Sequence, residues 1–381
     1  AFQAAAEQEG IPKTNDFNRG DNHGCGYFHV NQRSGIRWNT AKAFLKPAKG
    51  RSNLTILTHA EADRIEFDGK RVTGLSLRQK GAAARVTVAG ELLLSAGSIG
   101  SPQILELSGI GQSEILQEHG IEVVHELSGV GENLQDHLQV RCAYKVSGVK
   151  TLNERTQSLF GKAGIALEYF LKRSGPMSMA PSQLGAFAKS DPSLEFPNLQ
   201  YHVQPLTLEK FGEPLHPFPA FTASVCNLRP ESRGTVHIKS GTPGDKPSIR
   251  PNYLSAHADR MVAVEAIRLT RRIVSQPAMA PFAPEEFKPG PGAESDEDLA
   301  RTAGDIATTI FHPVGTAKMG SDDAAVVDDR LRVHGIEGLR VVDASVMPTI
   351  TSGNTNSPVI MIAEKAAYMI REDRRASARA A

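Results

Sequence analysis

Only three cysteines occur in 381 residues, Cys25, Cys142 and Cys226. They are widely spaced, odd in number and in no metal-ligand arrangement, which argues against a disulfide scaffold and against structural zinc. A reducing cytoplasm is the default compartment for such a chain. Neither sign of charge dominates, since 43 basic and 42 acidic residues leave a net charge of +1. That balance gives no footing to nucleic acid, an acidic polymer or a membrane surface as partner. Every long apolar run is broken by charge or proline, so no transmembrane helix is predicted. Aromatic residues make up 6% of the chain, with Trp38 the single tryptophan. Phe160, Tyr169, Phe170, Phe187 and Tyr201 are read as core rather than as a cation cage, which argues against a quaternary ammonium substrate. No internal repeat and no G-x-G-x-x-G dinucleotide fingerprint are found. A signal peptide is not visible, and the polar opening AFQAAAEQEG without an initiator methionine suggests a chain cut from something longer.

What remains is a globular composition, 40% hydrophobic and long enough for one large domain or two interleaved ones. From Asn53 to Gly97 the sequence alternates as strands do, with turns at Asp68–Gly69 and at Gly81, predicting a β-rich stretch with hairpins. A short helix is expected from about Ser101, stopped by Gly109 as a left-handed cap. Residues 141 to 250 change texture, with an amphipathic helix over Phe160 to Lys172 and then proline-punctuated short strands that suggest a cap-like second domain. A helix is predicted from about His257 to Ser275, and the following PAMAPFAPEEFKPGPGAES reads as too rich in proline and glycine to be regular. GLRVVDAS predicts a short buried strand ending in Asp343, and SPVIMIAEKAAYMI a helix with Pro358 in its first turn. The tail REDRRASARAA reads as frayed. A strand, a loop and a helix N-terminus in succession can hold an anion or an electron-rich ring.

Five segments in order carry a family resemblance: GIRWNTAKAFLKPA (35–48), GSIGSPQILELSGIG (97–111), VGENLQDH (130–137), HPVGTAKMG (312–320) and LRVVDASVMPTITSGNTNSPVIMIAEKAA (339–367). Together they resemble the glucose-methanol-choline oxidoreductase family over nearly the whole chain. Two departures stand out. The glycine-rich segment that in the family precedes these blocks, and binds the adenosine and pyrophosphate of FAD, has no counterpart here. Within the 315–320 block, Ala317 and Lys318 stand where the family usually has cysteine and arginine.

The resemblance implies FAD as cofactor and a small-molecule alcohol as substrate, oxidised by removal of a hydroxyl proton and transfer of a hydride. It leaves the electron acceptor open between dioxygen, a quinone or another. No protein side chain accepts a hydride, so the flavin must, and the chain supplies a base and the electrostatics. The resemblance assigns the base to His312, an imidazole that titrates near working pH, against the plain reading of a turn histidine before Pro313. It assigns Asn356, 44 positions on, as hydrogen-bond donor to the substrate oxygen. Asn354 in the same S-G-N-T-N run is read as turn chemistry. Asp343 is either a strand-end cap or a holder of the flavin's ribityl-phosphate region, with Ala344 offering a backbone N–H. Pro358 and Val359 match family positions at the flavin's pyrimidine end, and Ala62 the position whose backbone meets the adenine. His137 and His202 are read as structural, with His202 also a possible liner of a substrate cavity.

The expected fold is therefore α/β (mixed α+β): a Rossmann-like FAD-binding body, incomplete at its N-terminus, over residues 1–140 and 301–381, and an antiparallel-sheet substrate domain over 141–300. The expected function is FAD-dependent oxidation of a primary alcohol to an aldehyde. One rival is a truncated, non-catalytic fragment of such an enzyme. Another is a nicotinamide-dependent dehydrogenase, disfavoured by the missing fingerprint together with the flavin-family blocks. A pyrophosphate needs a glycine-rich turn and a helix N-terminus to replace its hydration. The 381-residue chain expressed alone is accordingly expected to bind FAD weakly and to aggregate. Flavin absorbance after dialysis checks this, and stoichiometric yellow protein would contradict it.

Overall fold

A computed structural model describes every residue of the chain except Pro181, Phe211 and Ala381, together with all side chains but those of Ser377 and Ala380. The described chain divides into two compact units. Residues 1–55, 138–228 and 257–309 form one, and residues 56–137, 229–256 and 310–381 form the other. The expected boundaries differ from these most at residues 1–55 and 229–256, and residues 138–140 and 301–309 also fall in the first unit. Residues 1–55 fold with the antiparallel sheet and not with the body, and residues 229–256 fold with the body. The physical reason for the first is the strand Gly24–Tyr27, which adds to the sheet's edge against Leu184–Ala188.

The first unit is built on that antiparallel sheet. Its central strands Leu138–Lys145, Ala220–Asn227, Leu199–Gln204 and Leu184–Ala188 pair in continuous register. Side chains alternate between its two faces. One face carries Val140, Cys142, Tyr144, Leu199, Tyr201, Val203, Phe221, Ala223 and Val225, all buried. It receives the helix His257–Val274, where the Tyr201 hydroxyl meets Thr270 Oγ1 at 3.0 Å. The opposite face is polar although most of it is buried, with Gln139, Arg141, Gln200, Gln204, Thr222 and Ser224 in neighbouring positions. Position 185 on this face is glycine because a β-carbon there would lie 2.0 Å from the Phe28 ring. That ring also packs on His202, with centroids 5.3 Å apart.

Two elements of this unit depart from expectation. The segment read as irregular contains an ordered strand, Glu285–Lys288, because it pairs with Leu138–Lys145 at the sheet's other edge. The bidentate Arg271–Glu286 ion pair, at 2.9 and 2.8 Å, fixes it to the helix behind. The amphipathic helix forms as expected over Leu159–Lys172, capped by Ser158, but it leaves Phe160 92% exposed. All three cysteines are buried free thiols. No described helix is long and apolar enough to cross a membrane.

In the second unit the expected hairpins form a meander of Ala60–Asp68, Arg71–Gln79 and Ala82–Thr87. The strand Leu92–Leu94 then pairs in parallel with Leu339–Val341, so two segments far apart in the sequence meet in one ladder. Ile65, Val72, Leu94, Leu105, Val130, Val326, Leu339 and Val341 fill a common core between them. The C-terminal helix Asn356–Ala380 runs through the tail read as frayed. Its Asp373 accepts from Arg332 and Arg340, each at 2.6 Å, and from Arg330 at 2.9 Å. Arg340 is buried and also bonds Glu91 at 2.7 Å, so its charge is compensated on two sides.

The helix Gly97–Leu107 follows Leu92–Leu94 and carries a fully buried carboxylate near its end, Glu106. Glu106 accepts from the Ile238 N–H at 2.8 Å and meets His237 Nδ1 at 2.6 Å, while His237 Nε2 meets Glu132 at 3.1 Å. Burial alone would lower the His237 pKa, but the two carboxylates outweigh it and hold it above the ordinary 6.5. The charged ring is thus favoured in the folded chain. Its stabilisation is complete below the unfolded value near 6.5 and is lost as pH rises through the folded value. Urea unfolding of the wild type should therefore weaken between about pH 6 and about pH 9 more than that of His237→Gln. Equal losses in both proteins would contradict the clamp.

Candidate active site

The residues around His312 all belong to the second unit. Two short stretches run antiparallel there, with the Gln135 and Val314 N–H groups each donating to the other's carbonyl, at 3.0 and 2.9 Å. Polar side chains of the same stretch reach sideways. Asn133 Nδ2 donates to Gly315 O and to Pro348 O, both at 3.2 Å. Gln135 donates to Pro348 O at 3.0 Å and accepts from the Ile350 N–H at 3.1 Å. Gly315 has φ +95°, and a β-carbon there would lie 2.5 Å from Asn133 O, so glycine is required for this approach. Ser98 Oγ donates to Pro313 O and Thr316 Oγ1 donates to Ser98 O, both at 2.7 Å, tying the histidine loop to the start of the helix Gly97–Leu107.

His312 itself is held at three points. Its backbone N–H donates to Asp136 Oδ1 at 2.9 Å. Its Nδ1 lies 3.0 Å from His137 Nδ1. Its Nε2 lies 3.3 Å from Asn354 Nδ2. Asp136 and His137 are buried, and Tyr253 donates its hydroxyl to Asp136 Oδ2. The residue before, Phe311, has φ +64°, a conformation bulky residues rarely adopt. Burial lowers the pKa of His312, with the Asp136 charge pulling the other way and losing. A ring kept neutral with Nε2 facing a hydrogen-bonding amide can take a proton from a hydroxyl group.

The structure brings His312 together with Asn354, the asparagine read as turn chemistry. Asn356 is two residues further on, exposed, at the first position of the helix Asn356–Ala380. Asp343 caps the following turn, the plainer of its two readings. Its Oδ1 accepts from the Ser345 N–H and hydroxyl, and its Oδ2 from the Gly97 N–H at 2.9 Å and the Ser101 hydroxyl at 2.6 Å. Both oxygens are thereby engaged by the chain, so the carboxylate positions the start of the helix Gly97–Leu107. Ala344 and Val359 pack against a small cluster of Val314, Met347 and Ile350, beside the histidine loop. Pro358 lies in the first turn of the C-terminal helix as expected.

Ala62 lies where the meander's register slips, between Ala62 and Arg64. It lines a cavity of about 340 Å³ with Ala96, Gly100, Gln103 and Gly244. A methyl group placed on Gly97, next to this cavity's wall at Ala96, would meet no other atom within 4 Å. An open cavity beside bare backbone fits the nucleotide end of a cofactor. Sequence reasoning missed Asn133, Gln135, Asp136, Tyr253 and the contact of His137. The available signal was the density of polar residues in ENLQDH, a run whose Gln135, Asp136 and His137 are all buried and so need partners.

Family models described as GMC oxidoreductase match residues 1–139 and 230–363. An alcohol dehydrogenase [acceptor] of Pseudomonas putida is 40% identical over 380 residues, 97% of this chain and 67% of that protein. An oxygen-dependent choline dehydrogenase of Chromohalobacter salexigens is 43% identical over 374 residues, again 97% of this chain and 67% of the relative. The chain thus spans about two thirds of the length of these relatives. Among solved structures, a pyridoxine 4-oxidase from Mesorbium loti superposes with a TM-score of 0.86 at 29% identity, covering 97% of this chain and 69% of that one. A formate oxidase of Aspergillus oryzae, studied for modification of its FAD, superposes with a TM-score of 0.91 at 25% identity, covering 98% and 70%. The chain belongs to the GMC oxidoreductase family, whose members are FAD-dependent flavoenzymes.

Proposed function

We propose that this chain carries the base and substrate-binding residues of an FAD-dependent enzyme that oxidises a primary alcohol to an aldehyde. The observation that carries the reading is His312 Nε2 facing Asn354 Nδ2 at 3.3 Å, on a ring that burial keeps neutral. Ala62, Gly97 and Gly100 would hold the nucleotide end of FAD, and Ala344, Pro358 and Val359 the flavin end. Asp343 would serve indirectly, by fixing Gly97 and Ser345. When bound, the flavin supplies the acceptor for the hydride that leaves the alcohol carbon.

The chain's own part is proton chemistry and orientation. The substrate hydroxyl donates to His312 Nε2, and an Asn354 N–H donates to the substrate oxygen. As the proton moves to the imidazole, that amide stabilises the developing alkoxide. Both the asparagine identified from sequence, Asn356, and the one that reaches the ring, Asn354, are candidates for this donor, and geometry favours Asn354. An alcohol as substrate is in keeping with the alcohol and choline dehydrogenases among the relatives.

In the intact enzyme, His312→Ala should lower turnover by a factor on the order of 10² or more with flavin content unchanged. Asn354→Ala should lower kcat/KM by roughly 10² and Asn356→Ala by far less. kcat/KM should rise with pH through a midpoint below the ordinary histidine value of 6.5, because the ring's pKa is lowered. Near-normal turnover of His312→Ala across pH would assign the base elsewhere, and a larger loss in Asn356→Ala than in Asn354→Ala would restore the donor expected from sequence.

A further inference from the structure

We propose that His137 is a positioning residue that sets the tautomer of His312, so that the lone pair stands on Nε2 where the substrate proton must arrive. The inference rests on the reading of His312 as the base. Its warrant is geometric. Two ring nitrogens 3.0 Å apart, His137 Nδ1 and His312 Nδ1, share one proton, so one ring donates and the other accepts. At the far side of His312, the Asn354 amide nitrogen faces Nε2 at 3.3 Å. An amide N–H donates, so Nε2 is the accepting nitrogen. A neutral imidazole has one N–H, and for His312 that leaves it on Nδ1, donating to His137. His137 then accepts at Nδ1 and carries its own proton on Nε2.

Asp136, the adjacent carboxylate, is engaged with the His312 backbone N–H and the Tyr253 hydroxyl. It steadies the main chain and adds negative potential beside the ring. His137 is fully buried, its carbonyl accepts the Ile310 N–H at 3.1 Å, and its ring stands at 80° to that of His312. The acceptor is thus pre-aimed by packing and main-chain bonding.

The consequence for proton transfer is direct. When Nε2 of His312 takes a proton, the Nδ1–H bond to His137 already exists and persists, so the imidazolium forms without rearranging hydrogens. The second ring stays neutral, because another charge buried beside the first is costly. With an apolar residue in place of His137, Nδ1 loses its acceptor and His312 is free to carry its proton on Nε2. That form cannot accept from the substrate.

Histidine-selective 15N NMR of the intact protein tests this, with His312 assigned by its loss in His312→Gln. The wild type should show His312 protonated on Nδ1 and bare on Nε2. His137→Phe should shift it toward Nε2–H and lower kcat/KM roughly tenfold or more. His137→Gln, whose side-chain oxygen can accept, should keep the Nδ1–H form and recover part of the rate. A wild-type His312 protonated on Nε2 overturns the inference, as does an Nδ1–H form unchanged in His137→Phe. The spectrum reads the tautomer without substrate, so it fails separately from the base assignment, whose failure would appear as turnover surviving His312→Ala.

Discussion

The site depends on the grip that residues 133 to 137 keep on the loop carrying His312. The Gln135–Val314 exchange of main-chain bonds sets the register, and Asp136 then holds the His312 N–H while His137 meets its ring. Asn133 and Gln135 reach past that loop to Pro348 and Ile350, the turn leading to Asn354. One five-residue stretch therefore positions both members of the proposed pair. Such a grip is needed because Phe311 is left-handed at φ +64°. Residues in such regions cost on the order of 1–3 kcal/mol each and persist only where their surroundings over-determine them.

Burial does a second task here. It lowers the His312 pKa against the pull of Asp136, so the ring is neutral over the pH range in which a base is wanted. A surface histidine with the same neighbours would be more often protonated and less useful. The saturated carboxylate of Asp343 works differently, joining the strand Leu339–Val341 to the helix Gly97–Leu107 through two hydrogen bonds from Gly97 and Ser101 and capping its own turn through two from Ser345.

Much of this was legible in the sequence because it depends on local pattern. Alternation in Ala60 to Thr87 marked the meander, and the apolar period with Pro358 in its first turn marked the C-terminal helix. The motif around His312 marked the candidate base. What was not legible depends on pairing between distant segments. Glu285–Lys288 is a strand only because Leu138–Lys145 offers it an edge, and no local propensity of EEFK says so. Residues 371 to 380 look like a disordered tail until Arg330, Arg332 and Arg340 meet Asp373. Asn354 and Asn356 are separated by one residue in a turn, and which of them faces His312 is decided by the backbone path from Pro348 onward. Spacing along the chain could not distinguish them. His137 was set aside for the same reason, since its partner lies 175 residues away.

The most direct measurement is a crystal structure of the FAD-loaded protein with an unreactive alcohol analogue bound. The account predicts the ligand hydroxyl oxygen within hydrogen-bonding distance of both His312 Nε2 and Asn354 Nδ2, with His137 still on Nδ1. A hydroxyl bound to other groups, with the His312 ring turned away from it, would contradict the account.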